Sequence, residues 1–187
     1  KGVQGMWGLS VDPIPVMGGD KASRHKKIVD TDPMEYEALI ILGDHSGDIM
    51  STEKSVLDFI NMAYNNGSVV GGIGGGIIPL ISAGLMKGRR CTGNEQVSFI
   101  LEKIARFEKS RCVTDDRIIT AMSTIDTPEF VYSFCRHFNP DFFDKRKGIL
   151  SGKIMLLICG WDFEDFEIAV PVLEFIHRGA KILIGTF

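Results

Sequence analysis

The residues that most suggest chemistry lie in Val69-Val70-Gly71-Gly72-Ile73-Gly74-Gly75-Gly76-Ile77-Ile78-Pro79-Leu80, an apolar run that passes through five glycines into a helix-forming stretch. Glycine permits positive φ and close backbone approach, and a helix start presents amides that attract anions. A phosphate-binding loop would need a lysine and a Ser or Thr after the last glycine, where this chain has Ile77 and Ile78. A dinucleotide turn needs G-x-G-x-x-G, and Gly72-Ile73-Gly74 leads only to Ile77 in the last glycine's place. A nucleophile elbow needs a reactive side chain at its tip, and here the tip is glycine. A close-packing turn without chemistry is the remaining alternative.

The four cysteines, Cys91, Cys112, Cys135 and Cys159, form no C-x-x-C pair and keep no regular spacing. In a chain with ample apolar content they read as reduced, partly buried thiols of a cytoplasmic protein. Cys159 ends an apolar run just before Gly160, at the carboxyl edge where parallel sheets place their sites, so it is the candidate for a displaced nucleophile. His45 follows Gly43-Asp44 at a strand end and is the histidine placed to reach the elbow. His25, His137 and His177 are scattered and read as surface residues. Ser123-Thr124 follows a strand ending at Ala121, and a serine nucleophile there has only His45 to serve as base. No His, Cys, Asp or Glu spacing suggests a metal site, and no cofactor is expected.

Positioning such residues requires a packed fold, and the composition provides one. The chain has 187 residues, 44% hydrophobic and 24% charged, enough for one globular domain. A formal charge of −3 argues against nucleic acid or an anionic membrane as main partner, and no uninterrupted apolar window is long enough to span a bilayer. Glycine is over-represented, with 21 residues. The absence of an initial Met and of a signal-peptide pattern suggests a trimmed chain.

Apolar, β-branched runs at residues 38–42, 68–73, 117–121, 154–159 and 181–185 predict buried strands. Helical periodicity predicts helices over 51–66, 76–83, 96–107, 128–138 and 164–178. Residues 1–32 read as loop or edge hairpin, and the charged stretch 142–152 as a linker. Continuous apolar strands alternating with helices predict an α/β fold: a flavodoxin-like parallel sheet sandwiched by helices. The strand–helix–strand unit at the C-terminus is the usual opening of such a sheet, so the elements stand in permuted order.

Two segments resemble the ThiJ/PfpI superfamily, which includes PfpI-type intracellular proteases and parkinsonism-associated deglycases, and more distantly glutamine amidotransferase domains. These are Tyr36-Glu37-Ala38-Leu39-Ile40-Ile41-Leu42-Gly43 and Ala83-Gly84-Leu85-Met86-Lys87-Gly88-Arg89-Arg90-Cys91-Thr92. The C-terminal part, with Gly160-Trp161-Asp162-Phe163-Glu164 and Pro171, is similar to the family's first strand and helix. The resemblance implies that residues 1–140 are the main part of the domain and 141–152 a linker. Residues 153–187 are then the fold's first strand–helix–strand, as a circular permutant or the start of a second tandem repeat.

Carried over residue by residue, the family's catalytic cysteine falls on Gly74 and its neighbouring histidine on Gly75. Its acid falls on Glu167, with Glu164 the near alternative. A further histidine falls on Asn94, and the second glycine of the turn near the oxyanion site falls on Asp44. Ser123-Thr124 falls where the family lines its pocket. The resemblance therefore implies a pseudoenzyme-like elbow with a retained carboxylate. Gly43, Asp44, His45, Gly74, Gly75, Gly76, Glu164 and Glu167 would surround a small anionic or carbonyl ligand. The expected role is structural, regulatory or small-molecule-binding, with a homo-oligomer or a second tandem repeat as partner. The alternative is a hydrolase, amidase or glyoxalase-like enzyme that uses Cys159 with His45.

Overall fold

The computed structural model describes residues 23–43, 46–140, 149–158 and 165–186. Strand β1 (Ser23–Lys27) leads through two 310 turns, Ile28–Asp30 and Pro33–Glu35, into β2 (Ala38–Ile41). Helices α1 (Ser46–Met50) and α2 (Lys54–Asn65) precede β3 (Val69–Ile73), which passes through a 310 turn at Gly74–Gly76 into α3 (Ile77–Ser82). Then come β4 (Arg90–Cys91), α4 (Glu95–Ile104), β5 (Arg106–Phe107), β6 (Cys112–Asp115) and β7 (Ile118–Ala121). A 310 turn at Thr124–Asp126 opens α5 (Thr127–Phe138), and β8 (Ile154–Ile158), α6 (Asp165–His177) and β9 (Lys181–Thr186) complete the described chain.

Seven strands form one sheet in the order β1-β9-β8-β2-β3-β7-β6, parallel throughout except for β6, which pairs antiparallel with β7. Side chains on a strand alternate between faces, so the fully apolar β2 serves two cores. Leu39 and Ile41 join Val70, Ile118, Leu156 and Ile158 beneath residues of α2, α3 and α4, among them Ile60, Leu80 and Leu101. Ala38 and Ile40 join Val69, Ile119, Met155 and Leu157 beneath Phe130 and Phe134 of α5 and Phe175 of α6. The α/β sandwich expected from the sequence is present, with β6 as the one antiparallel strand among the described residues.

The unit β8–α6–β9 is part of this sheet. β8 pairs with β2 from Ala38↔Met155 to Ile41↔Ile158, and Glu37 anchors the start of the ladder by accepting from the Ile154 amide at 2.8 Å. Phe134 meets Phe175 edge-on at 5.7 Å, joining α5 to α6. Residues 141–148 of the expected linker lie outside the described residues. At its other end Leu150 is fully buried and its amide donates to the Arg178 carbonyl at 2.8 Å, so that end is core rather than linker.

Three element boundaries differ from expectation. The helix expected over 51–66 begins at Lys54, because Ser51 and Thr52 turn their hydroxyls back onto the Asp48 and Ile49 carbonyls and end the separate short α1. The helix expected over 96–107 ends at Ile104, and Arg106-Phe107 pairs instead with Arg90-Cys91, clamped by Arg90 Nε on Glu108 at 2.6 Å. In the opening stretch, residues 1–22 lie outside the described residues. Ser23–Lys27 is a strand that pairs in parallel with β9.

Gly71 in β3 fits because it has no side chain: a Cβ there would lie 2.6 Å from the Phe134 ring and 2.8 Å from the Phe130 ring. Gly71→Ala is therefore expected to lower stability by about 1–3 kcal/mol, the usual cost of overpacking. Phe134→Leu introduced into the Gly71→Ala chain is expected to recover part of that loss. Thermal denaturation of the single and double variants checks both outcomes.

Candidate functional site

The parallel register brings the ends of β8, β2, β3 and β7 to one edge: Ile41 sits between Ile158 and Gly72, and Ile73 lies beside Ala121. The glycine elbow stands at this carboxyl edge, where open α/β sheets place their ligands. β3 reaches Ile73 in extended conformation, Gly74 turns the chain at φ +56°, and the Gly74–Gly76 turn feeds α3. The left-handed setting explains a glycine at 74, since an L side chain there is strained.

The neighbouring glycines are explained by contact. A Cβ on Gly76 would lie 2.2 Å from the Ile41 carbonyl oxygen, and one on Gly72 would lie 2.9 Å from the Gly76 carbonyl oxygen. From the facing side, a Cβ on Gly47 would lie 2.1 Å from the Gly75 carbonyl oxygen. The elbow is thus wedged between the end of β2 and the first turn of α1, backbone against backbone. Gly71, Gly72 and Gly76 are close-packing residues, so most of the glycine excess at the elbow reflects packing.

Gly43 forms the lip beside the elbow, at φ +129°, with the Ser46 hydroxyl folded over it: a Cβ on Gly43 would lie 2.0 Å from Ser46 Oγ. Ser46 is fully buried and, among the described residues, its hydroxyl has no hydrogen-bond partner. Nothing in its sequence context singled it out, because burial of a serine after Gly43 depends on α1 closing against the elbow.

The structure brings Gly43 to the same edge as Gly74, Gly75 and Gly76. Asp44, His45, Cys159 and Glu164 lie outside the described residues. Glu167 falls within α6, and its side chain is not described. Asn94, where the resemblance places a further histidine, is the N-cap of α4 and accepts from the Gln96 and Val97 amides at 3.1 and 3.3 Å.

Ser123 is engaged in holding the loop between β7 and α5. Its amide and hydroxyl both donate to Asp126 Oδ2, at 3.2 and 3.0 Å, and Arg111 Nε binds Asp126 Oδ1 at 2.6 Å. This capping box neutralises the buried Asp126 and fixes the rim next to the elbow. With the Ser123 amide and hydroxyl sharing Asp126 Oδ2 and Arg111 holding Oδ1, the geometry suits Ser123 to capping rather than to attack.

The described cysteines are poor nucleophiles. Burial pushes the thiols of Cys91, Cys112 and Cys135 up to about 11. Cys112 also lies 3.4 Å from the Ser133 hydroxyl. His137, half-buried near the end of α5, has its pKa lowered by burial, with Asp116 opposing and Arg117 reinforcing the shift. His177 sits exposed at the end of α6. Among the described residues no three His, Cys, Asp or Glu side chains group as metal ligands, and no helix is long and apolar enough to cross a membrane.

Comparison with known proteins places this geometry in a family. The chain is 26% identical over 158 residues to Protein DJ-1 homolog D of Arabidopsis thaliana, covering 82% of this chain and 39% of that protein. It is 30% identical over 107 residues to Protein/nucleic acid deglycase 2 of Escherichia coli, covering 56% of this chain and 62% of that protein. The chain thus spans less than two thirds of either relative. Among solved structures, a ThiJ/PfpI domain protein from Brachyspira murdochii superposes with a TM-score of 0.61 at 16% identity, over 73% of each chain, and so shares the fold. The sequence profile of the DJ-1/PfpI family matches residues 7–137, which include the elbow, its lip and the capped rim, and the chain belongs to that family.

Proposed function

We propose that this chain is a DJ-1/PfpI domain whose elbow has lost its nucleophile, and that it serves as a non-catalytic structural, regulatory or small-molecule-binding module. The observation that carries this reading is Gly74. Its φ of +56° is the setting that a non-glycine residue holds only at a cost of about 1–3 kcal/mol, a strain that active sites maintain for chemistry. The resemblance aligns this position with the family's cysteine and Gly75 with its histidine. In this chain the turn persists with no side chain at its tip.

The E. coli relative is named a deglycase, so family membership alone does not argue against catalysis. What argues against it here is the absence of an attacking group on the elbow and the raised pKa of the three described thiols. The buried Ser46 hydroxyl supports a ligand-binding role: a small anionic or carbonyl compound seated beside Gly43 would supply its missing partner. The same reading treats β8–α6–β9 as the family's opening unit in permuted position, in a circular permutant or a tandem protein. The greater length of the Arabidopsis relative favours the tandem form, with a sister repeat or a second copy as partner.

Two measurements test the proposal. With iodoacetamide at pH 7, Cys91, Cys112 and Cys135 are expected to react slowly. A pKa of about 11 leaves on the order of one thiol in ten thousand ionised, and the rate should climb as pH approaches that value. Rapid, selective alkylation of Cys159 would instead favour the displaced-nucleophile enzyme with His45.

The second measurement installs Gly74→Cys with Gly75→His. This chain should melt a few degrees lower, as about 1–3 kcal/mol of strain implies. It should also gain turnover of methylglyoxal or amide substrates that the natural chain lacks. Turnover by the natural chain itself would refute the non-catalytic reading.

A further inference from the structure

At the opposite margin of the sheet from β1, strand β6 is the last in the order, and among the described residues no strand pairs with its outer side. The register shows which of its backbone groups face outward. β6 and β7 are joined by the two-residue hairpin Asp116-Arg117, and the Met122 amide donates to the Arg111 carbonyl at 3.0 Å. In an antiparallel pair, hydrogen-bonded and non-hydrogen-bonded residues alternate. Arg111, Val113 and Asp115 therefore bond to β7, while Cys112 and Thr114 turn their N–H and C=O groups away from it. The Ser110 hydroxyl at 3.3 Å from the Cys112 carbonyl marks that outward direction.

Beside this edge runs a groove of about 330 Å³, lined by Thr114 from β6 and by Ser133, Arg136, His137 and Pro140 from α5 and its end. Its charge is one-sided. Arg136 is exposed, 6.0 Å from the Tyr132 ring, and His137, whose pKa burial lowers with Asp116 opposing, offers a ring N–H to an acceptor. Asp116 and Glu129, acids on this side, are both engaged: Asp116 Oδ2 accepts from the Tyr64 hydroxyl at 3.4 Å and lies 3.9 Å from Arg117 Nε, and Glu129 Oε1 lies 3.0 Å from Arg111 Nη1.

A compact anion would engage Arg136 but none of the outward backbone groups of β6. An extended peptide fits better. Its backbone finds the outward groups of Cys112 and Thr114, and its alternate side chains all face α5.

We propose that the open edge of β6 and the adjoining face of α5 form a docking groove for an extended acidic peptide segment, which adds to the sheet as a further strand and sets its carboxylates against Arg136 and His137. This role is independent of the elbow and stands whether or not the elbow is catalytic.

The test uses the whole chain and a fluorescein-labelled peptide of alternating glutamate and valine, read by fluorescence anisotropy. Saturable binding is expected. It should weaken about tenfold in Thr114→Pro, which removes an outward N–H and leaves the bonds to β7 intact. A similar loss is expected in Arg136→Glu, with circular dichroism confirming that both variants fold. N-methylating alternate peptide amides should abolish binding with no change to the protein.

The proposal is overturned if the natural chain shows no saturable binding or if the N-methylated peptide binds equally well. It is equally overturned if added salt removes binding that Thr114→Pro leaves intact. Efficient disulfide cross-linking of Thr114→Cys chains without peptide would show that a second copy covers this edge, and would also overturn it.

Discussion

The whole carboxyl edge of this domain depends on backbone meeting backbone without side chains between. Gly76 lies against the Ile41 carbonyl and Gly47 against the Gly75 carbonyl, each closer than any Cβ would permit. Those two contacts set how deeply the elbow sits between β2 and α1. They bring Gly43 alongside the elbow and bury Ser46 behind it. Interiors packed at crystal-like density transmit such constraints, so a methyl group in either contact would displace a whole element. The elbow is a rigid wedge whose shape survives independently of what its tip can do.

The second organising feature is the central position of the C-terminal unit. β8 lies between β2 and β9, so both cores draw residues from each end of the described chain. Met155 and Leu157 face the aromatic layer of Phe130, Phe134 and Phe175, while Leu156 and Ile158 face the helices on the other side. Offset and edge-on aromatic pairs such as Phe134–Phe175 add directional contacts to an otherwise non-directional core. The element order is unusual, yet the sheet is a single continuous ladder from β1 to β6.

Much of this was legible from residue types. The runs at 38–42, 68–73, 117–121, 154–159 and 181–185 are largely apolar and rich in β-branched residues, a pattern that suits a doubly covered strand, and all five carry strands. The elbow stood out because no other segment concentrates five glycines between a strand and a helix. Short elements were illegible for equally physical reasons. Ser46–Met50 is one turn and a half, too short to show a period, and Cys112–Asp115 alternates over only four residues. The pairing of β1 depends on β9 at the far end of the sequence, which no local window contains. Composition showed that glycine permits close approach, but which glycines are approached, and by which carbonyl, is a tertiary fact.

The ladder between β2 and β8 also bears on how the chain reaches this state. Glu37 and Ile154 are 117 positions apart, and their contact opens the pairing at the middle of the sheet. Non-local pairing of this kind is slow, because the entropy of closing a long loop is lost before the contact is gained. Until residues 154–158 arrive, β2 presents Leu39, Ile40 and Ile41 along an unpaired, wholly apolar margin. Such a margin is a template for association with other chains. The margin of β2 is therefore covered by β8 only once the long loop between Glu37 and Ile154 has closed.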